Sequence, residues 1–207
     1  MNRPYIVAMT GASGVIYGVR LVRALVESGK NVALVISDAA RTVIHEELGI
    51  TLRSLTRQEH LADLFGAQIA KGLEAYSPKD FTAPIASGSF PVSGMIVIPC
   101  TMGTLAAIAS GMSQTLIHRA ADCVVKEGQR LVLVPRETPL SAIHLENMLK
   151  LARLGVRIVP AMPGFYSGAQ TVEEIVDFMV GKVLDQLEIS NVMYPRWTGT
   201  VQGGARE

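Results

Sequence analysis

Aromatic residues are scarce, with five Phe, five Tyr and one Trp among 207 residues. That leaves too few rings for a stacking platform along single-stranded nucleic acid. Neither sign of charge dominates. Nineteen Lys and Arg face eighteen Asp and Glu, for a formal charge of +1, and they are spread along the chain. No basic tract therefore argues for a nucleic acid or a membrane surface as partner. Only two cysteines occur, Cys100 and Cys123, with no CxxC pair and no metal-ligand spacing to the four histidines. His45-Glu46 opens like a zinc-protease helix, but Gly49 stands where the second histidine belongs. No metal is expected. No apolar span reaches the length of a membrane helix, and the run that follows the first few residues is too short for a signal-peptide core. The expectation is a cytoplasmic protein with reduced thiols.

What is present is core-forming material. Apolar residues make up 49% of the chain, enough for one large domain. Short apolar runs read as strands at Tyr5 to Met9, Asn31 to Ile36, Met95 to Ile98, Leu131 to Val134 and Val156 to Val159, with a further strand near Leu73 to Tyr76. Helical spacing runs from Gly14 to Ser28 through Val15, Val19, Val22 and Val26. It returns at Asp38 to Leu48, Arg57 to Phe65 and roughly 103–110, 118–127, 140–154 and 171–187. Strands alternating with helices predict an α/β fold with a parallel sheet, right-handed crossovers and helices on both faces. Ser77 to Val92 is rich in Ser, Pro, Gly and Ala and reads as a long loop, a class that is often functional. Residues 1–190 are expected to form the single domain and 191–207 a tail.

Ligands of open parallel sheets bind beyond the carboxyl ends of the strands. The segments that follow the strands are Thr10-Gly11-Ala12-Ser13-Gly14, Ser37-Asp38, Pro99-Cys100-Thr101-Met102-Gly103-Thr104, Pro135-Arg136-Glu137-Thr138-Pro139 and Pro160 to Tyr166. Small, hydroxylated or charged residues recur at all five. The first has the logic of an anion cradle: glycines let amides approach, a helix N-terminus adds free N–H groups, and Ser13 adds a hydroxyl. Thr10-Gly11-x-x-Gly14 also suggests short-chain dehydrogenases, but no tyrosine is followed four places on by lysine, and strand two ends in Ser37 rather than an acid for an NAD ribose. Arg136-Glu137, set between two prolines, is either a surface ion pair or an anion site with a proton carrier. Arg119, Asp122 and Lys126 share a helix face, either as an ion-pair ladder or as two cations aimed at a phosphate. Cys100 reads as a small core thiol.

The stretches MTGASGVIYGVRL, ASGSF, IVIPCTMGTLAAIASG, LIHRAADCVVKE, LVLVPRETPLSAIHLENMLKL and PAMPGFYS resemble the flavin prenyltransferases of the UbiX family, from the start of the chain to about residue 187. LVPRETPL with IHLENM is the specific part. The resemblance implies a three-layer, Rossmann-like or flavodoxin-like flavoprotein. It implies transfer of a dimethylallyl group from dimethylallyl phosphate to N5 and C6 of reduced FMN, giving the cofactor of UbiD-type decarboxylases. It places FMN on Gly11, Ala12, Ser13, Ser37, Thr101, Met102, Gly103, Thr104 and Arg136. It places dimethylallyl phosphate on Ser89, Arg119, Lys126, Tyr166, Lys182 and Trp197, with Ser13, Glu47, Glu137 and Lys126 as catalytic groups. Trp197 would close over the site, and the residue at 182 would reach a neighbouring subunit of a homo-oligomer, a dodecamer. Two positions depart from the family pattern: Lys182 stands where relatives often carry Arg, and Met102 where a small hydroxylated residue is common. A flavin-dependent cysteine decarboxylase of the same superfamily is the alternative, though the PRETPL loop is wrong for it.

Overall fold

The computed structural model describes residues 3–197 and 199. Residue 198 and residues 200–207 of the expected tail lie outside the described residues. The strands are β1 (Tyr5–Met9), β2 (Val32–Ile36), β3 (Leu73–Tyr76), β4 (Gly94–Cys100), β5 (Leu131–Pro135) and β6 (Arg157–Ile158). The helices are α1 (Val15–Glu27), α2 (Asp38–Leu48), α3 (Gln58–Phe65), α4 (Ala67–Ala70), α5 (Met102–Ala109), α6 (Leu116–Lys126), α7 (Ala142–Arg153) and α8 (Val172–Gln186). Short 3-10 turns occupy Pro84–Ala86 and Phe165–Ser167.

All strand pairs are parallel, in the order β3-β2-β1-β4-β5-β6. This is the Rossmann arrangement, with its direction of winding reversed between β1 and β4. The central strands are buried on both faces, so they read as unbroken apolar runs rather than alternating ones. Strand periodicity then sorts their side chains. Val7, Met9, Leu34, Ile36, Ile96 and Ile98 pack under α1, α2, α3 and α8. Ile6, Ala8, Ala33, Val35, Met95 and Val97 pack under α5, α6 and α7. The expected three layers are present.

Local chemistry explains where elements begin. Thr115 accepts from the His118 amide, so α6 starts at Leu116, earlier than its apolar spacing implied. Ser141 and His144 form a reciprocal capping box, which moves the start of α7 past Pro139-Leu140. The short helix α4 was not expected. The last strand, at the edge of the sheet, is shorter than expected, although the Val159 and Ala161 amides still donate to the Leu133 and Pro135 carbonyls at 2.8 and 3.0 Å; Pro160 lies between them, where its missing N–H faces the free edge. Within β4, Pro99 likewise donates nothing, and the register with β5 shifts between Val97 and Cys100.

Candidate active site

The winding reversal opens a crevice between the ends of β1 and β4, and one side chain stitches it. Thr10 is 2% exposed. Its hydroxyl donates to the Pro99 carbonyl at 2.8 Å and accepts from the Thr101 amide at 2.8 Å, while its own amide reaches Pro99 at 3.2 Å. The two loops thus form one rigid rim. Gly11 lies so close to α2 that a Cβ there would stand 2.5 Å from the Ala39 Cβ. The Ser37 amide closes the corner on the Met9 carbonyl at 3.0 Å. Sequence reasoning set Thr10 at the head of the first loop but gave its hydroxyl no role; a lone hydroxyl ending an apolar central strand was the available signal.

Donors converge on this rim. Ser37 accepts from the Ala40 amide at 3.1 Å to cap α2, which leaves its O–H free to donate. At α5 the Thr101 hydroxyl accepts from the Thr104 amide at 3.1 Å and donates to the Thr104 hydroxyl at 2.9 Å. The Thr104 O–H is therefore free to donate. Met102 is buried, and Gly103 beside it has open space where a side chain would sit. Past the end of β5, the Arg136 Nε is buried without a hydrogen-bond partner among the described residues. An orphaned guanidinium N–H in a crevice lined by helix N-termini and hydroxyl donors suits an anionic, acceptor-rich ligand such as FMN. Glu137 is exposed next to it, and its Oε1 accepts from the Thr138 amide at 3.1 Å.

The anion cradle of the first loop needs one correction. The N–H groups at the start of α1 are not free. Glu47, from the last turn of α2, accepts from Gly14 with both oxygens at 3.0 Å and from Val15 at 3.1 Å. The helix brings no side-chain cap and no acid in its first turn, and Gly14 takes a left-handed conformation (φ 96°) that turns these amides outward. A carboxylate is the natural occupant of such a positive end. Glu47 is thereby fixed beside Ser13, which is exposed.

The expected phosphate ligands divide into groups. Lys126 ends α6, and Ser89 lies on the chain leading into β4; both are at the amino edge of the sheet. A cavity of about 190 Å³ there is lined by Ser87, Gly88, Ser89, Cys123 and Glu127. The Lys126 ammonium pairs with Glu127, whose hydrogen bond raises its pKa, rather than with Asp122. Arg119 is held by Asp122 at 2.9 Å and by the Ala86 carbonyl at 2.9 Å. The helix-face ladder therefore has one rung. Tyr166 and Trp197 meet edge to face at 6.0 Å between ring centroids, and Lys182 stands 5.8 Å from the Tyr194 ring. Seven strand residues separate the edge bearing Ser89 and Lys126 from the rim bearing Ser13, roughly 20 Å at the rise of a strand. One chain does not bring Ser13 and Lys126 together. Cys100 is fully buried, and burial pushes its thiol up to about 12, which rules it out as a nucleophile near neutral pH.

Residues 1–184 match the flavoprotein family. Flavin prenyltransferase UbiX of Halalkalibacterium halodurans is 50% identical over 93% of this chain and 92% of its own length. The solved structure of AnUbiX (PadA1), in complex with FMN and dimethylallyl pyrophosphate, superposes with a TM-score of 0.85 at 40% identity, covering 97% of this chain and all of that one. A dodecameric FMN-dependent UbiX-like decarboxylase from Escherichia coli O157:H7 gives a TM-score of 0.83 at 47% identity, covering 95% of this chain and 100% of that one. Peptidyl-cysteine decarboxylase EpiD, at 15% identity and a TM-score of 0.57, shares the fold alone. The chain belongs to the flavoprotein family and, within it, to the UbiX flavin prenyltransferases.

Proposed function

We propose that the protein transfers the dimethylallyl group of dimethylallyl phosphate to N5 and C6 of reduced FMN, supplying prenylated FMN to UbiD-type decarboxylases. The observation that carries this reading is the buried, unpartnered Arg136 Nε within the PRETPL loop, at the same edge of the sheet as the Ser37 and Thr104 hydroxyls that are left free to donate. Bound there, reduced FMN supplies the nucleophilic ring atoms. Gly11, Ala12 and Ser13 hold it along the first loop, Ser37, Thr101 and Thr104 through hydroxyl groups, Met102 and Gly103 through backbone amides, and Arg136 through its guanidinium.

The chain's own groups address the difficult step, departure of phosphate from an allylic carbon. Charge grows on the phosphate oxygens as that C–O bond breaks. Cations preorganised at Arg119, Lys126 and Lys182, with the hydroxyls of Ser89 and Tyr166, stabilise it. Lys182 acts as a point charge without the bidentate fork of an arginine. Glu137 moves protons between phosphate and acceptor. Glu47, held on two amides, orients Ser13 at the reacting edge. Trp197 covers the prenyl group.

Because Ser13 and Lys126 sit at opposite edges of one sheet, the site is completed by neighbouring copies in a homo-oligomer, a dodecamer like the Escherichia coli relative. Residues 1–190 are the flavin-binding unit and residues 191–207 a C-terminal tail. The setting is the cytoplasm, where the unpaired Cys100 and Cys123 stay reduced. The test is anaerobic incubation with reduced FMN and dimethylallyl phosphate. The expected result is flavin heavier by one C5H8 unit, with a large loss in Glu137→Gln while FMN binding is retained. Unchanged flavin mass with the wild type would overturn the reading.

A further inference from the structure

Helix α8 carries Gly181 in its interior, fully buried, where glycine weakens a helix. A Cβ at this position would stand 2.5 Å from Tyr194 Cδ1, 2.8 Å from its Cε1 and 3.1 Å from the Asn191 Oδ1. The bare helix surface is the seat of a ring from the C-terminal segment. One turn further on, Asp185 gathers that segment's polar groups. It accepts from the Tyr194 hydroxyl at 2.6 Å, from Arg196 Nη2 at 2.7 Å and from Asn191 Nδ2 at 3.0 Å. The Arg196 guanidinium lies 4.4 Å over the Tyr194 ring, closing the cluster.

From Tyr194 an edge-to-face relay leads outward. Phe178 is 5.0 Å from Tyr194, Tyr166 is 5.7 Å from Phe178, and Trp197 is 6.0 Å from Tyr166. Lys182 faces the same Tyr194 ring. Three of the residues assigned above to dimethylallyl phosphate therefore depend on one seated tyrosine. We infer that Gly181 and Asp185 are positioning residues, which latch the 191–197 segment onto α8 and thereby set Trp197, Tyr166 and Lys182 for the prenyl phosphate. The inference rests on the proposed function for the identity of that substrate. Burial opposes the Asp185 charge, but the hydrogen bonds from Arg196, Tyr194 and Asn191 outweigh it and hold the carboxyl down at about 2. Burial and the neighbouring carboxylate push the Tyr194 hydroxyl up to about 12. The latch keeps one protonation state across the neutral range.

The protein's single tryptophan is Trp197, so intrinsic fluorescence reports the latch directly. Acrylamide quenching and steady-state prenyl transfer are to be measured on the full chain for wild type, Asp185→Asn and Gly181→Ala. Trp197 is 59% exposed when latched, so in either variant its quenching constant is expected to rise by about half, toward that of a free indole. KM for dimethylallyl phosphate is expected to rise about tenfold, with a smaller change in kcat and unchanged FMN affinity, as lost preorganisation requires. Tyr194→Phe keeps the seated ring and loses two hydrogen bonds, the one donated to Asp185 and the one accepted from Arg196, so it should fall between. Unchanged quenching in both variants overturns the latch. Raised quenching with unchanged KM overturns its role in positioning. A wild type that makes no prenylated flavin overturns the functional reading, and with it the role in positioning, while quenching still decides whether the latch exists.

Discussion

Replacing Thr10 by Val removes one hydroxyl from the crevice between β1 and β4 and changes little else in shape. The Pro99 carbonyl keeps the Thr10 amide, but the Thr101 N–H loses the acceptor that held it at 2.8 Å. An orphaned N–H at this half-buried position costs about 2 kcal/mol, within a span of roughly 1–3. For a chain of 207 residues that lowers Tm by about 4–8 °C. Thr10→Ser keeps both hydroxyl bonds and loses only a buried methyl, a loss of about 1 kcal/mol. Thermal unfolding by circular dichroism, at one protein concentration so that assembly does not move the midpoint, should rank wild type above Ser and Ser above Val. FMN affinity should follow the same order, because the Thr101 amide opens the loop proposed above to hold FMN. A Val variant as stable as wild type, or more stable than Ser, would refute the account of the rim.

Three further outcomes follow from particular residues. Glu188 adopts a left-handed backbone at φ 58°, and its pair with Arg130 is largely exposed on the Glu188 side. Glu188→Gly should therefore relieve about 1 kcal/mol of strain at little electrostatic loss and raise Tm by roughly 2 °C in the same melt. Cys100 and Cys123 are both buried, and burial raises both thiols, so Ellman's reagent at pH 8 should label neither until the chain is denatured. The folded pKa of Asp185, about 2, lies below the ordinary carboxyl value of about 4, so its contribution is complete above pH 4 and is lost as pH falls toward 2. Trp197 quenching should be flat from pH 8 to 5 and rise below 4 in wild type, with no such rise in Asp185→Asn.

The layered sheet was legible because central parallel strands leave unbroken apolar runs between glycine-marked turns, as at Tyr5 to Met9 and Leu131 to Val134. The gathering of the post-strand loops along one edge of the sheet was legible for the same reason: strand ends can be counted off the chain, and the residues after them share a character. What stayed hidden depends on side chains meeting across long separations. Glu47 lies 33 residues from the amide it caps, and no local pattern marks a helix start capped from another helix. Thr10 and Pro99 are 89 residues apart. The latch was hidden because Gly181 looks like a flaw in a helix until the ring that fills its place is seen. The spacing of Arg119, Asp122 and Lys126 suggested a ladder, yet the lysine found a nearer acid in Glu127.

The placement of Ser13 and Lys126 at opposite edges of one sheet has a genetic consequence. Under the proposed function a chain lends half of one site and borrows half of another, so two crippled variants need not be crippled together. Ser13→Ala and Lys126→Ala chains, each impaired alone, would rebuild intact sites when co-assembled in equal amounts. About one site in four would draw both sound halves if each site takes them from two chains. Inheritance of such defects would follow the partners a chain meets rather than the chain alone.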